Sequence, residues 1–178
     1  MIGSNTLTTN RKQMVKGNAL AIVSAYGLTT LHHIYGGIVD NAPNRLTVPV
    51  IMAVPTVAAL VALHRYERTG SKTALATAAT VTSMAWVGLS GLLHGGYAHA
   101  YKDVLFLTGG PAKLYYPLNP SEHYPPDDLL FEITGVLEVA AAFLVAWSTY
   151  RLIAKHGPNA RSIGPSDFAR RVQAAQRR

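Results

Sequence analysis

The sequence predicts an all-α integral membrane protein: four transmembrane helices in an antiparallel bundle, with N and C termini cytoplasmic. Three observations predict it. Charged residues are 14% of the 178-residue chain against 49% hydrophobic, where soluble domains carry roughly 25% charged residues. The apolar residues fall into four blocks close to the ~20 residues a spanning helix needs, and the charges lie between the blocks. The basic residues alternate in density from one connection to the next. The N-terminal arm carries three, the second connection three and the tail from Arg151 seven, while the first connection carries only Arg45 and the third only Lys102 and Lys113. That thirteen-to-three split puts the arm, the second connection and the tail on the cytoplasmic side.

Residues 1–17 read as a short basic arm, and residues 18–155 as the membrane domain. The first span is expected from about Asn18 to Val39. The turn Asp40-Asn41-Ala42-Pro43-Asn44 ends it, because Asn and Asp tolerate turn geometry and Pro blocks a helix. The second is expected from about Leu46 to Leu63, with Pro49 in its first turn and Pro55 as a kink. A basic loop follows, His64 to Lys72. The third span is expected from about Thr73 to Tyr101, rich in the Ala and Thr that allow close packing in lipid. Residues 102–128 form a long outer loop rich in Pro and Tyr, read as an ordered cap on the membrane surface. The fourth span runs from about Leu129 to Ile153, with Trp147 and Tyr150 as interfacial anchors. Residues 156–178 are a basic cytoplasmic tail, with a short amphipathic helix expected over Phe168 to Val172.

The composition excludes several classes of function. The absence of cysteine rules out disulfides, thiolate metal sites and iron–sulfur clusters. The net charge of +7 is no nucleic-acid signal, because the charges flank apolar segments and no aromatic-basic module accompanies them. No cleavage site follows a short apolar run, so the first block is read as retained.

Ionisable residues inside a span are functional candidates by default. His32 lies roughly 12 Å below Asp40, His94 roughly 13 Å below Asp103 and Glu138 roughly 15 Å below Asp128, at 1.5 Å per residue. His99 and Glu132 lie roughly 6 Å deep by the same measure, beside Tyr35 and Tyr97. His123 falls in the outer loop. His64 and His156 belong to the cytoplasmic rim. Leu31-His32-His33-Ile34-Tyr35 and Leu93-His94-Gly95-Gly96-Tyr97 share the pattern Leu-His-x-x-Tyr, which would put His32 and His94 at matching heights. On an α-helix His32 and His33 diverge by about 100°, and His94 and His99 by about 140° unless Gly95-Gly96 distorts the helix. One of His32 and His33, His94, and one of Glu132 and Glu138 therefore make a reasonable pocket; convergence of all of them does not. The plainer alternative is snorkelling to the interface.

Two chemistries fit such a pocket. Catalytic proton transfer on a lipophilic small molecule would use His94, Glu132, Glu138 and His32, with no cofactor. Metal binding would use His32, His33, His94, His99 and Glu138, since imidazoles with a carboxylate suit zinc, copper or non-haem iron. A pair of facing histidines could instead hold haem b. A third reading is a non-catalytic subunit that docks a partner through the outer loop. Self-association and membership of a larger membrane complex are left open by the sequence.

Gly91-Leu92-Leu93-His94, the acidic-aromatic loop after it, and Phe131-Glu132-Ile133-Thr134-Gly135-Val136 carry a resemblance. Together they resemble parts of the emopamil-binding (EXPERA-type) sterol isomerase family, over the third and fourth helices. The resemblance implies a double-bond shift in a membrane pocket, with His94 and Glu132 as the residues carried over. The family's His-x-x-x-Glu is not present, because position 98 is Ala and a histidine follows at 99.

Overall fold

The computed structural model describes residues 3–111, 114 and 128–156, and is all-helical among them. Four rods make it up. Helix α1 spans Gly3–Val39. A 3₁₀ turn, Pro43–Leu46, leads into α2, Thr47–Thr69. The third rod is continuous but changes character: α3 is Lys72–Thr82, a π-helical segment is Ser83–Tyr101, and α4 is Lys102–Leu107. Helix α5 spans Leu129–His156. The His123 region, the Pro- and Tyr-rich cap and the Phe168–Val172 segment lie outside the described residues.

Local chemistry sets the boundaries, and several differ from expectation. The basic arm is helical and continuous with the residues after it, because α1 already begins at Gly3. Helix α2 does not stop at Leu63; it runs through the basic stretch to Thr69, where Gly70 adopts φ +67° and its N–H caps the Tyr66 carbonyl at 2.8 Å. That left-handed cap is cheap only for glycine. Ser71 opens α3 by accepting from the Ala74 N–H. The third rod does not end at Tyr101, since α4 extends it to Leu107. Asp128 opens α5 by accepting the Phe131 N–H at 2.8 Å. That bond, above all, holds the Asp128 carboxyl below the usual carboxylate range.

Three rods are long and apolar enough to cross a membrane: Pro43–Thr69, Lys72–Leu107 and Leu129–Lys155. Only 33 to 39% of their most apolar stretches is buried within the molecule, so most of that apolar surface points outward. Val50, Val54, Val61, Leu92, Phe143 and Leu144 are all well exposed. Such an inverted surface needs an apolar solvent. Helix α1 is less apolar, and it buries the polar Asn18, Thr29, His32 and His33 alongside Val15, Ile22 and Ala25.

Packing places α5 against the π segment and α1, and α2 against α3 and α1. One buried cluster, including Ile22, Leu63, Leu75, Trp86 and Val145, joins the rods. Tyr26 meets Trp86 edge-on, with ring centres 6.1 Å apart. The third rod and α5 approach closely at Gly95, where an added Cβ would lie 2.8 Å from the Gly135 carbonyl oxygen and 3.1 Å from Glu138 Cβ. Only a residue without a side chain lets the two backbones come this near.

Candidate functional site

Four histidines from two rods meet in one place. His32 and His94 have ring centres 5.1 Å apart, His32 and His99 4.8 Å, His94 and His99 4.9 Å, and His33 and His94 4.7 Å. His32 and His33 also touch, at 5.2 Å. The expectation that the histidines could not all converge is corrected here. The reason is the π segment: a helix closed by i→i+5 bonds brings residues five apart nearly into line, so His94 and His99 share a face. Gly88, Gly91, Gly95 and Gly96 within the segment leave the widened turns uncrowded. His32 and His33 straddle the contact line of α1, and both are buried.

The ring orientations are fixed from behind. Thr134 directs its hydroxyl proton to the Leu130 and Phe131 carbonyls, at 2.8 and 3.0 Å. Its lone pairs are therefore left to accept from His32 Nδ1–H, 2.9 Å away. His99 Nδ1 lies 2.7 Å from Glu132 Oε2, and Lys102 Nζ pairs with Glu132 Oε1. With Nδ1 protonated on both rings, His32 Nε2 and His99 Nε2 present bare lone pairs. Phe131 stacks on His32 with ring centres 4.2 Å apart, and the Arg45 guanidinium lies over Phe131, 4.5 Å from its ring centre. Arg45 is itself held by Asp40 at 2.7 Å.

The front of the cluster is unpaired. His32 Nε2, His33 Nδ1, His94 Nε2, His99 Nε2 and Glu138 Oε1 are all buried without a hydrogen-bond partner among the described residues. Glu138 Oε2 accepts from Ser90, which is 3.1 Å from Thr29. Two overlapping donor groups result, His32–His94–His99 and His33–His94–Glu138, each with its ligand atoms within 4.8 Å of one another. A buried polar atom left unpaired costs roughly 1–3 kcal/mol, so five in one spot is an expensive arrangement.

The residues nominated from sequence thus divide. His32, His33, His94, His99 and Glu138 come together, while Glu132 stands behind His99 and is engaged by it and Lys102. His64 is exposed at the far end. Lys102, Thr134, Ser90 and Thr29 were not singled out. Lys102 looked like the first residue of a loop, yet it is three residues beyond His99 on a continuing helix and is buried. Compared with known proteins, the chain matches no family model, no curated protein and no solved structure.

Proposed function

We propose that this chain is an integral membrane metalloprotein that holds a first-row transition metal ion in its histidine cluster. The observation that carries the reading is the set of five buried, unpartnered donor atoms, four imidazole nitrogens and one carboxylate oxygen, that face one another. Neutral imidazoles whose far nitrogens are tied to a carboxylate or hydroxyl are the usual form of histidine metal ligands. The donor set, nitrogen-rich and without sulfur, suits copper, zinc or non-haem iron. Direct contact among the rings favours an ion over haem b, because a porphyrin ligated from both faces would have to separate two of them. In this reading α1 joins the three apolar rods as a fourth span. Both termini lie in the cytoplasm, by the basic-residue split, and the cluster sits in the outer half of the bilayer. The ion would supply Lewis-acid or redox chemistry to a small molecule reaching the site from the outer side or from lipid.

The test is metal analysis and an electronic spectrum of protein purified without chelator, then loaded with copper, iron or zinc. A stoichiometric ion is expected, and His94→Ala, which removes the residue common to both donor groups, should abolish it while helical content persists. A loaded wild-type protein with no stoichiometric metal overturns the reading.

Proton transfer on a lipophilic molecule is the second reading. Its supporting observation is Glu138, which keeps one oxygen unpaired within reach of His33 and His94. It differs in requiring no ion: binding or isomerisation of a sterol-like ligand would survive chelation.

A further inference from the structure

The histidine cluster occupies one end of the α1–α5 interface, and two adjoining cavities occupy the other. One, of about 550 Å³, is an apolar groove lined by Leu20, Ala21 and Leu28 of α1 and by Leu137, Ala141 and Leu144 of α5. The other, of about 270 Å³, is polar, with Asn10, Gln13, Arg151 and Lys155 in its wall. Gly17 and Ser148 line both, so the groove opens into the polar pocket. From Gly17 to Leu28 the groove runs roughly 16 Å along α1. That is about half of the ~30 Å hydrocarbon thickness of a bilayer, one leaflet. Trp147 borders the groove near its polar mouth and stacks on Tyr150, with ring centres 5.9 Å apart. Both are exposed aromatics of the kind that settle at headgroup level.

The geometry points to a seat for one anionic glycerophospholipid, with an acyl chain in the α1–α5 groove and its phosphate between Arg151 and Lys155. The two cations are four residues apart and so share a face of α5. Among the described residues, no carboxylate lines either cavity. Asn10 and Gln13 add amide groups suited to the glycerol and headgroup oxygens. An apolar slot one leaflet long that ends in a doubly cationic mouth matches the two-part chemistry of a lipid. A neighbouring transmembrane helix would meet the slot but leave the charges unanswered. Gly17 makes the groove easy to close, since a Cβ added there meets nothing within 4 Å. Gly17→Leu would fill the space and favour the helix. The inference does not depend on the metal reading.

The experiment is native mass spectrometry of delipidated protein in detergent, titrated with phosphatidylglycerol or with phosphatidylcholine of the same acyl chains. Wild type is expected to form a one-to-one phosphatidylglycerol adduct, favoured over phosphatidylcholine on the order of tenfold. The double variant Arg151→Gln, Lys155→Gln should lose that preference, and Gly17→Leu should lose both adducts. Both variants should keep wild-type helical content. Equal binding of the two lipids by wild type overturns the proposal, as does a phosphatidylglycerol adduct that Gly17→Leu leaves intact. Competition by glycerol phosphate as effective as by the lipid would show a phosphate site instead. A dimer that Gly17→Leu dissolves, with no lipid adduct in wild type, would give the groove to a second copy of the chain.

Discussion

Helices α1 and α5 meet at two levels, and the two levels handle polarity in opposite ways. At one, Asn18 Nδ2 donates to Ser148 and Thr149, each at 2.8 Å. Asn18 is buried, and its amide hydrogens are fully used. At the other, His32, His33 and Glu138 leave donor atoms with no partner, although the chain nearby supplies hydroxyls, a lysine and a second carboxylate. Thr134 pairs with the back of His32 and Ser90 with the other oxygen of Glu138, while Glu132, engaged by Lys102, backs His99. The difference teaches that burial depth alone does not mark function. A closed polar contact holds rods together; an arrangement closed behind and open in front keeps its donor atoms free for a ligand, which is what the metal reading uses.

The largest expected effect comes from removing the support behind His99. Glu132→Ala removes the carboxylate that Lys102 and His99 share, and breaking a buried ion pair by deleting one partner costs about 3–5 kcal/mol. It should also weaken metal binding roughly 10–100-fold. Thermal unfolding in detergent and metal titration check both, and unchanged affinity would erase the distinction between the two levels. Gly135→Ala comes next. The new methyl would strike the His99 imidazole, and overpacking of this kind costs about 1–3 kcal/mol. Loss of metal exceeding the loss of stability is expected.

Asn18→Leu sharpens the comparison from the other side. Two hydrogen bonds between helices are lost, worth about 1 kcal/mol together in lipid. Metal content should stay at the wild-type value, and a fall in metal would mean that the levels are coupled. Asp128→Ala is smallest, at or below about 1 kcal/mol for a lost helix cap. Its pH dependence has a defined sign. The carboxyl is held low in the folded protein, so its contribution is present above the unfolded value of about 3.9 and fades as pH falls through the folded one. The gap between wild type and Asp128→Ala should therefore narrow in acid.

Much of this was legible in the sequence, and what was not has definite causes. Apolar blocks separated by charges predicted the rods. Polar residues placed inside them picked out His32, His33, His94, His99 and Glu138. The meeting of all four imidazoles was not legible, because a helical wheel assumes 100° per residue and Ser83–Tyr101 does not follow it. The pairing of Glu132 with Lys102 was not legible for a related reason. Lys102 sits where glycines, prolines and tyrosines soon follow, and composition put the loop there six residues early. Helix α2 outran its apolar block because a basic, solvated turn can still be helical until a glycine stops it.

The donors are far apart along the chain: His32 and His33 in the first rod, His94 and His99 in the third, Glu138 in the last. On the metal reading, the His32–His94–His99 group is complete once the third rod has formed, whereas the His33–His94–Glu138 group waits for the last rod. An ion held by the whole cluster would then favour the finished bundle over one lacking its last rod, since the share of binding free energy that Glu138 adds is available only after that rod has docked.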